Sequence, residues 1–307
     1  MPEIPAKPLP RRGVSFVVPV FNKAPWLPEV LAAIEAQTGD FARQYVFVDD
    51  GSTDESLALL RRLTADWPNV VIESQANRGS GAATNRGIAL ASEPYIKFVD
   101  ADDLIAREAT RLLLDAAQDT GAGLAFGRLE LYDPDERPAL DRREPARAPE
   151  VIPAPLRSVI QTSYFNPTQI LVRTDAARAV GGCDERIVFS QEYGLALRLA
   201  RLGAFARVEA TVAFMPREVP GRLSANEGRQ LQRVTLALAH HVRDFPDTPR
   251  ALQRYAYRKC AGRAWKWARR HRHQGVLSAW FWRALLSRLP QPGDYAPRIE
   301  ACARIFD

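Results

Sequence analysis

Cysteine is scarce in this chain of 307 residues, which has only Cys183, Cys260 and Cys302, an odd and widely spaced set. That excludes a disulfide framework and a thiolate zinc site, and it suits a reducing compartment. Histidine is also rare. His271 and His273 lie in an arginine-rich stretch that reads as a solvated helix face, and His240-His241 lacks a third partner in the pattern. No run reaches the ~18 uninterrupted apolar residues of a membrane span. The apolar stretch at 14–21 is too short for a secretory leader and contains Pro19, so the expected location is the cytoplasm. No Gly-x-Gly-x-x-Gly follows the first predicted strand, which argues against a dinucleotide fold. There is no internal repeat. What remains is an ordinary globular composition, 46% hydrophobic and 25% charged, long enough to bury a sizeable core.

The charge is unevenly placed. Sixteen Lys/Arg against six Asp/Glu lie over 226–307, so this tail carries +10 while the whole chain carries +6. The rest is therefore slightly acidic, and the tail calls for an anionic partner. Trp265, Trp267, Trp280, Phe281 and Trp282 sit among those arginines. Two readings stand. The tail is either a basic helix lying on an anionic membrane surface, peripheral to its inner face, or a set of aromatics packed on the rest of the chain or on a second subunit of a homo-oligomer. Nucleic acid is not expected, because no recognised binding module accompanies the charge.

Along the chain, strand-like and helix-like segments alternate. Val14-Ser15-Phe16-Val17-Val18, Tyr45-Val46-Phe47-Val48, Val70-Val71-Ile72 and 95–99 read as strands. Between them Leu27, Val30, Leu31 and Ile34, and then Leu57, Leu60 and Leu63, recur at helical spacing. Ser52-Thr53-Asp54-Glu55 has the Ser-x-x-Glu pattern of a capping box and predicts a helix starting there. Such alternation predicts an α/β fold with a mainly parallel sheet flanked by helices. Residues 133–157, rich in Pro, Arg and Glu, read as a surface excursion or lid. The expected organisation is a catalytic domain over 1–225 and a helical appendage over 226–307.

In an open parallel sheet, ligands bind outside the carboxyl ends of the strands. The polar clusters fall there: Pro19-Val20-Phe21-Asn22 after the first strand, Asp49-Asp50 after the second, Asp100-Ala101-Asp102-Asp103 after the fourth. Three carboxylates in four residues repel one another without a counter-ion. They offer hard oxygen ligands suited to Mg²⁺ or Mn²⁺. A lone Asp in such a place more often caps the next helix; three together favour a metal.

These segments, in order, resemble the family 2 glycosyltransferases of the GT-A fold. The resemblance rests on Val17-Val18-Pro19-Val20-Phe21-Asn22, Val48-Asp49-Asp50-Gly51-Ser52-Thr53-Asp54, Asn77-Arg78-Gly79 with Asn85, and Phe98-Val99-Asp100-Ala101-Asp102-Asp103. It continues through Gly181-Gly182-Cys183-Asp184-Glu185 and Gln191-Glu192-Tyr193, covering about 13–225. The resemblance implies a nucleotide-sugar donor, most often UDP-linked. Asp50 would bond the base, Pro19, Val20 and Asn22 would line its pocket, Arg78 and Asn85 would touch the donor, and Asp100 would lie at the ribose or phosphate side. Asp102, with Asp103, would hold the metal that bridges the diphosphate. Inverting relatives usually carry Glu-Asp where this chain has Gln191-Glu192, so Glu192 would be the general base toward the acceptor hydroxyl of a glycan, lipid-linked or protein acceptor in polysaccharide assembly. The lesser reading of Glu192 is a favourable charge in the first turn of a helix. Arg217 to Ser224 resembles a family loop that often carries a His, with Val219 at that position. Two rivals remain. A nucleotidyltransferase would share the architecture but needs a Gly-rich basic loop after the first strand; a non-catalytic nucleotide-sugar-binding or scaffold protein would share the pocket without turnover.

Overall fold

The structure, a computed structural model, describes residues 12–142, 147–162, 166–187, 191–217 and 226–306. It divides into two compact units. The first comprises 1–155 and 165–220, the second 156–164 and 221–307.

The first unit opens with β1 (Gly13–Val20), α1 (Leu27–Glu35), β2 (Ala42–Asp49), α2 (Ser56–Leu63), β3 (Val70–Ser74), α3 (Ser80–Leu90) and β4 (Tyr95–Phe98). β1 and β2 are almost continuously buried, because helices cover both faces of a parallel sheet and leave no polar alternation. Helix α1 starts at a proline-tolerant first turn, with Pro28, and buries Leu27, Val30, Leu31 and Ile34, as their spacing predicts. Helix α2 begins later than its apparent capping box. Ser52 does not cap it; Asp54 accepts a hydrogen bond from the Ser56 backbone N–H at 2.9 Å instead.

Then come β5 (Leu104–Ile105), α4 (Ala109–Thr120), β6 (Leu124–Tyr132), β7 (Glu150–Ile152), β8 (Ile170–Arg173), α6 (Thr174–Ala179), α7 (Gln191–Leu199) and β9 (Phe205–Pro216); α5 (Leu156–Gln161), between β7 and β8, belongs to the second unit. The strands form one sheet in the order β3-β2-β1-β4-β8-β6-β9-β5, with β7 on β9. β1 to β4 are mutually parallel; β8 runs antiparallel to both β4 and β6. The parallel arrangement read from the sequence thus holds for the first half, and the sheet turns mixed beyond it. The excursion at 133–157 contains a strand that its Pro-rich composition hides. β7 pairs with β9, and the Arg107 N–H bonds Leu140 O at 2.7 Å.

The second unit holds α5 with α8 (Glu227–Asp244), α9 (Arg250–His271), α10 (Ala279–Leu286) and α11 (Ala296–Ala303). Its core is small and tight: Leu238, Val242, Ala256, Cys260, Ala264, Ile299 and Cys302 are buried. All three cysteines of the chain are free and buried. Among the described residues no helix is long and apolar enough to cross a membrane.

Candidate functional site

The sheet order reverses at β1, with β2 on one side and β4 on the other, which opens a crevice at their carboxyl ends. Register aligns those ends. Val20 pairs with Asp49, the Asp50 N–H bonds Val20 O at 2.8 Å, and the Val99 N–H bonds Val17 O at 3.1 Å. Asn22, Asp50 and Asp100 therefore emerge from one end of the sheet, as the sequence order anticipates.

Local contacts show what each side chain does there. Asn22 adopts a left-handed backbone, φ 52°, that turns its side chain toward the loop after β2. Its amide oxygen accepts from the Thr53 N–H at 2.8 Å, and its own N–H donates to Ser52 Oγ at 3.0 Å. Asp50 is buried and already accepts three hydrogen bonds: from Gln75 Nε2 at 2.8 Å, the Arg78 N–H at 3.0 Å and the Gly79 N–H at 2.8 Å. It thereby fixes the 75–79 loop that leads into α3, a structural duty the sequence did not disclose. Gly51, at φ +75°, lets that loop pass, since a Cβ there would lie 2.9 Å from the Asn77 nitrogen. Pro19 is partly exposed, but Val20 is 1% exposed and part of the core. Val20 packs in the hydrophobic core beside the crevice.

Arg78 and Asn85 converge on Glu185. Arg78 Nη2 lies 3.0 Å from one carboxylate oxygen, and Asn85 Nδ2 lies 2.9 Å from the other. Asn85 also clamps Cys183 through its N–H (2.7 Å) and carbonyl (3.1 Å). Gly182, φ +66°, must lack a side chain, since a Cβ would sit 2.3 Å from Asn85 Oδ1. From the other side, Arg198 of α7 donates to Gly182 O at 3.0 Å. One chain of contacts thus couples α3, the 181–186 loop and the helix that carries Glu192.

The acidic segment splits into two kinds of carboxylate. Asp102 faces Lys23, with Nζ 2.5 Å from Oδ2, and only 14% of the Asp102 side chain is exposed. Asp103 turns inward: it is 1% exposed and accepts from Thr168 Oγ1 at 2.7 Å. Burial first, then the neighbouring Asp100 and Asp102, push its pKa well above the usual carboxylate range. Asp103 is a buried anchor. Thr168, which nothing in the sequence singles out, is its hub. The Thr168 hydroxyl also accepts from the Asp100 N–H at 3.0 Å, and its carbonyl accepts from the buried Lys97 ammonium. Burial lowers the pKa of Lys97 to about 7, although Asp103 and Asp100 act against that shift.

Among the described residues no three His, Cys, Asp or Glu side chains gather as a ready metal cage. A divalent cation still fits Asp102. Its carboxylate is a hard donor, though a metal there would have to displace the Lys23 ammonium and would complete its shell with water and substrate oxygens. Glu192 stands in the first turn of α7 and is partly buried. Desolvation, opposed by its own backbone N–H and reinforced by Asp100, raises its pKa to about 8. The side chain of Gln191 and the segment around Val219 lie outside the described residues.

Fold and site define an α/β protein with an acidic crevice at the switch point of its sheet. The model of the family described as glycosyl transferase family 2 matches residues 15–181, more than half of the chain, and the protein belongs to that family. Among characterised relatives, a poly(ribitol-phosphate) beta-glucosyltransferase of Bacillus spizizenii is 35% identical over 122 residues, covering 38% of this chain and 19% of the relative. The chain spans only 19% to 26% of the length of the first curated relatives it matches. In solved structures the fold recurs as the GT-A glycosyltransferase architecture. Staphylococcus aureus TarS 1–349 in complex with UDP has a TM-score of 0.60 at 19% identity, covering 86% of this chain and 74% of that one. The mannosyltransferase PcManGT of Pyrobaculum calidifontis, with GDP-Man and Mn²⁺, has a TM-score of 0.57 at 19% identity over 98% and 90%.

Proposed function

We propose that the chain transfers a glycosyl group from a nucleotide-sugar donor, UDP-linked, to an acceptor hydroxyl, with inversion at the anomeric carbon. The observation that carries this reading is the pairing of two carboxylates with opposite characters. Asp102 is a neutralised, hard oxygen donor, while Glu192 is a partly buried carboxylate whose pKa is raised to about 8. A general base works best when its pKa lies near the operating pH. Glu192, positioned by α7 through Arg198 and the 181–186 loop, takes the proton of the acceptor hydroxyl as that oxygen attacks the anomeric carbon and the nucleoside diphosphate leaves. Asp50 and Asn22 hold the loops that receive the nucleotide, and Pro19 flanks them. Arg78 and Asn85, cross-linked by Glu185, form the donor side of the crevice. Mn²⁺ or Mg²⁺ held by Asp102, with Asp100 beside it, would stabilise charge on the departing diphosphate. The activity printed for the Bacillus relative, glucosyl transfer on poly(ribitol-phosphate), supports a polymeric acceptor, as in polysaccharide assembly.

The test is release of nucleoside diphosphate from a panel of UDP- and GDP-sugars with glycan acceptors, with and without Mn²⁺. Mn²⁺-dependent release from a UDP-sugar is expected. A chain that binds UDP tightly yet releases it from no donor under any of these conditions is a binding protein, and the proposal fails.

A further inference from the structure

Helix α10 is anomalous: none of its residues is buried. Phe281 is spoken for, packing edge-on to Trp265 at 5.3 Å, and Trp280 carries the Arg283 guanidinium over its ring at 5.1 Å. The outward side is different. Trp282, Leu285, Leu286 and Leu289 follow one another at helical spacing and are 48%, 38%, 48% and 57% exposed. Just before the helix, Val276 and Leu277 stand 59% and 90% in solvent. Singly exposed leucines need no explanation, but six large apolar side chains along one short segment mark an interaction surface. Their surroundings are cationic. Arg269, Arg270 and Arg272 precede them, Arg283 and Arg288 lie among them, and α9 has no acidic residue over its 22 positions.

We infer that the 276–289 segment docks onto an anionic lipid surface, its leucines and Trp282 entering the interface while the surrounding arginines meet the headgroups. An apolar face ringed by Arg is the pattern of an interfacial helix. A second copy of the chain is the poorer occupant. It would bring another +10 of like charge against this one with few acids to answer it, whereas anionic lipid supplies the complementary sign. The inference deepens the proposed function by placing a transferase at the surface where lipid-linked acceptors reside.

The test is co-sedimentation of the full chain with phosphatidylglycerol-containing vesicles and with phosphatidylcholine-only vesicles, for the wild type and a Leu277→Asp/Leu289→Asp variant. Both leucines are solvent-exposed, so circular dichroism and UDP affinity should be unchanged in the variant, which keeps this result separate from the donor-site reading. The expected result is binding to anionic vesicles, at least tenfold weaker for the variant and weakened by 0.5 M salt, with little binding to the neutral ones. Quenching of tryptophan fluorescence by brominated lipid should fall in Trp282→Leu. Equal partition of wild type and variant overturns the inference. So does wild-type binding that ignores lipid charge, or a wild-type dimer that the variant dissociates while neither binds vesicles.

Discussion

Lys23 Nζ sits 2.5 Å from Asp102 Oδ2, so the carboxylate best placed for a divalent cation already has a protein cation against it. The pair is partly shielded, with 24% of the lysine and 14% of the aspartate side chain exposed. A metal at Asp102 must compete with the ammonium or displace it. Lys23→Met should therefore tighten Mn²⁺ binding in the absence of nucleotide by about three- to tenfold, a modest change because solvent still screens the pair. Titration of free Mn²⁺ by electron paramagnetic resonance reads this directly. An unchanged Mn²⁺ affinity would mean that the ion sits elsewhere. Asp102→Asn, which removes the charge and keeps the shape, should abolish the tightening of UDP binding by Mn²⁺.

Asp50 makes a two-part prediction. Its buried carboxylate holds the 75–79 loop by three hydrogen bonds, so Asp50→Ala leaves those donors without their acceptor. The expected cost is roughly 1–3 kcal/mol of stability. Because the same loop leads into the crevice, UDP affinity should fall by a comparable amount, seen by calorimetry beside thermal unfolding. Loss of stability with full UDP affinity would confine Asp50 to the loop.

Thr168 offers a cleaner structural probe. Its hydroxyl donates to Asp103 and accepts from the Asp100 N–H, inside the core. Thr168→Val keeps the shape but removes both bonds, and the buried Asp103 then keeps only its hydrogen bond with Asn166. A loss of about 1–3 kcal/mol is expected, together with weaker Mn²⁺-dependent UDP binding as the 100–103 turn loosens. Chemical denaturation and calorimetry check the two halves.

Much of the site was legible because ligand-facing polar residues cluster at strand ends, and strand ends can be read from apolar runs. The acidic segment at Asp100 to Asp103 stood out in that way, as did the convergence of the loops after β1, β2 and β4, whereas Glu192 was named only by the family resemblance. The residues that brace them did not. Thr168 lies 65 positions beyond Asp103 and reaches it only because β8 runs antiparallel beside β4, a pairing no local pattern announces. Asp103 and Asp102 are adjacent and identical in type, yet one faces Lys23 and the other the core; only the backbone turn decides which. The Ser52 to Glu55 pattern misled for a related reason. Ser52 is drawn to Asn22 by tertiary contact, and that interaction outcompetes the local cap.

Glu192 carries the most consequential prediction. Burial and the charge of Asp100 oppose its ionisation in the folded protein, where its pKa is about 8, while the unfolded chain titrates at the ordinary value of 4.5. The native state therefore binds this proton more tightly. The stabilisation from this group is complete below the ordinary value and is lost as pH rises through about 8. Glu192→Gln removes that dependence. The variant should melt with the wild type at pH 4 and a few degrees above it at pH 9. Activity should move in the opposite sense. Glutamine cannot accept the acceptor proton, and a positioned base is worth ~10²–10⁴-fold, so kcat should drop by that order with donor affinity nearly intact. In the wild type the rate should rise with pH, its limb set by Glu192 at or below about 8, since a cation at Asp102 offsets the Asp100 charge that helps raise it. Glu192→Asp keeps a carboxylate one methylene short and should retain partial turnover. A Gln variant that is stabilised at high pH yet turns over at the wild-type rate would identify Glu192 as a partly buried helix-start carboxylate and send the search for the base to another residue.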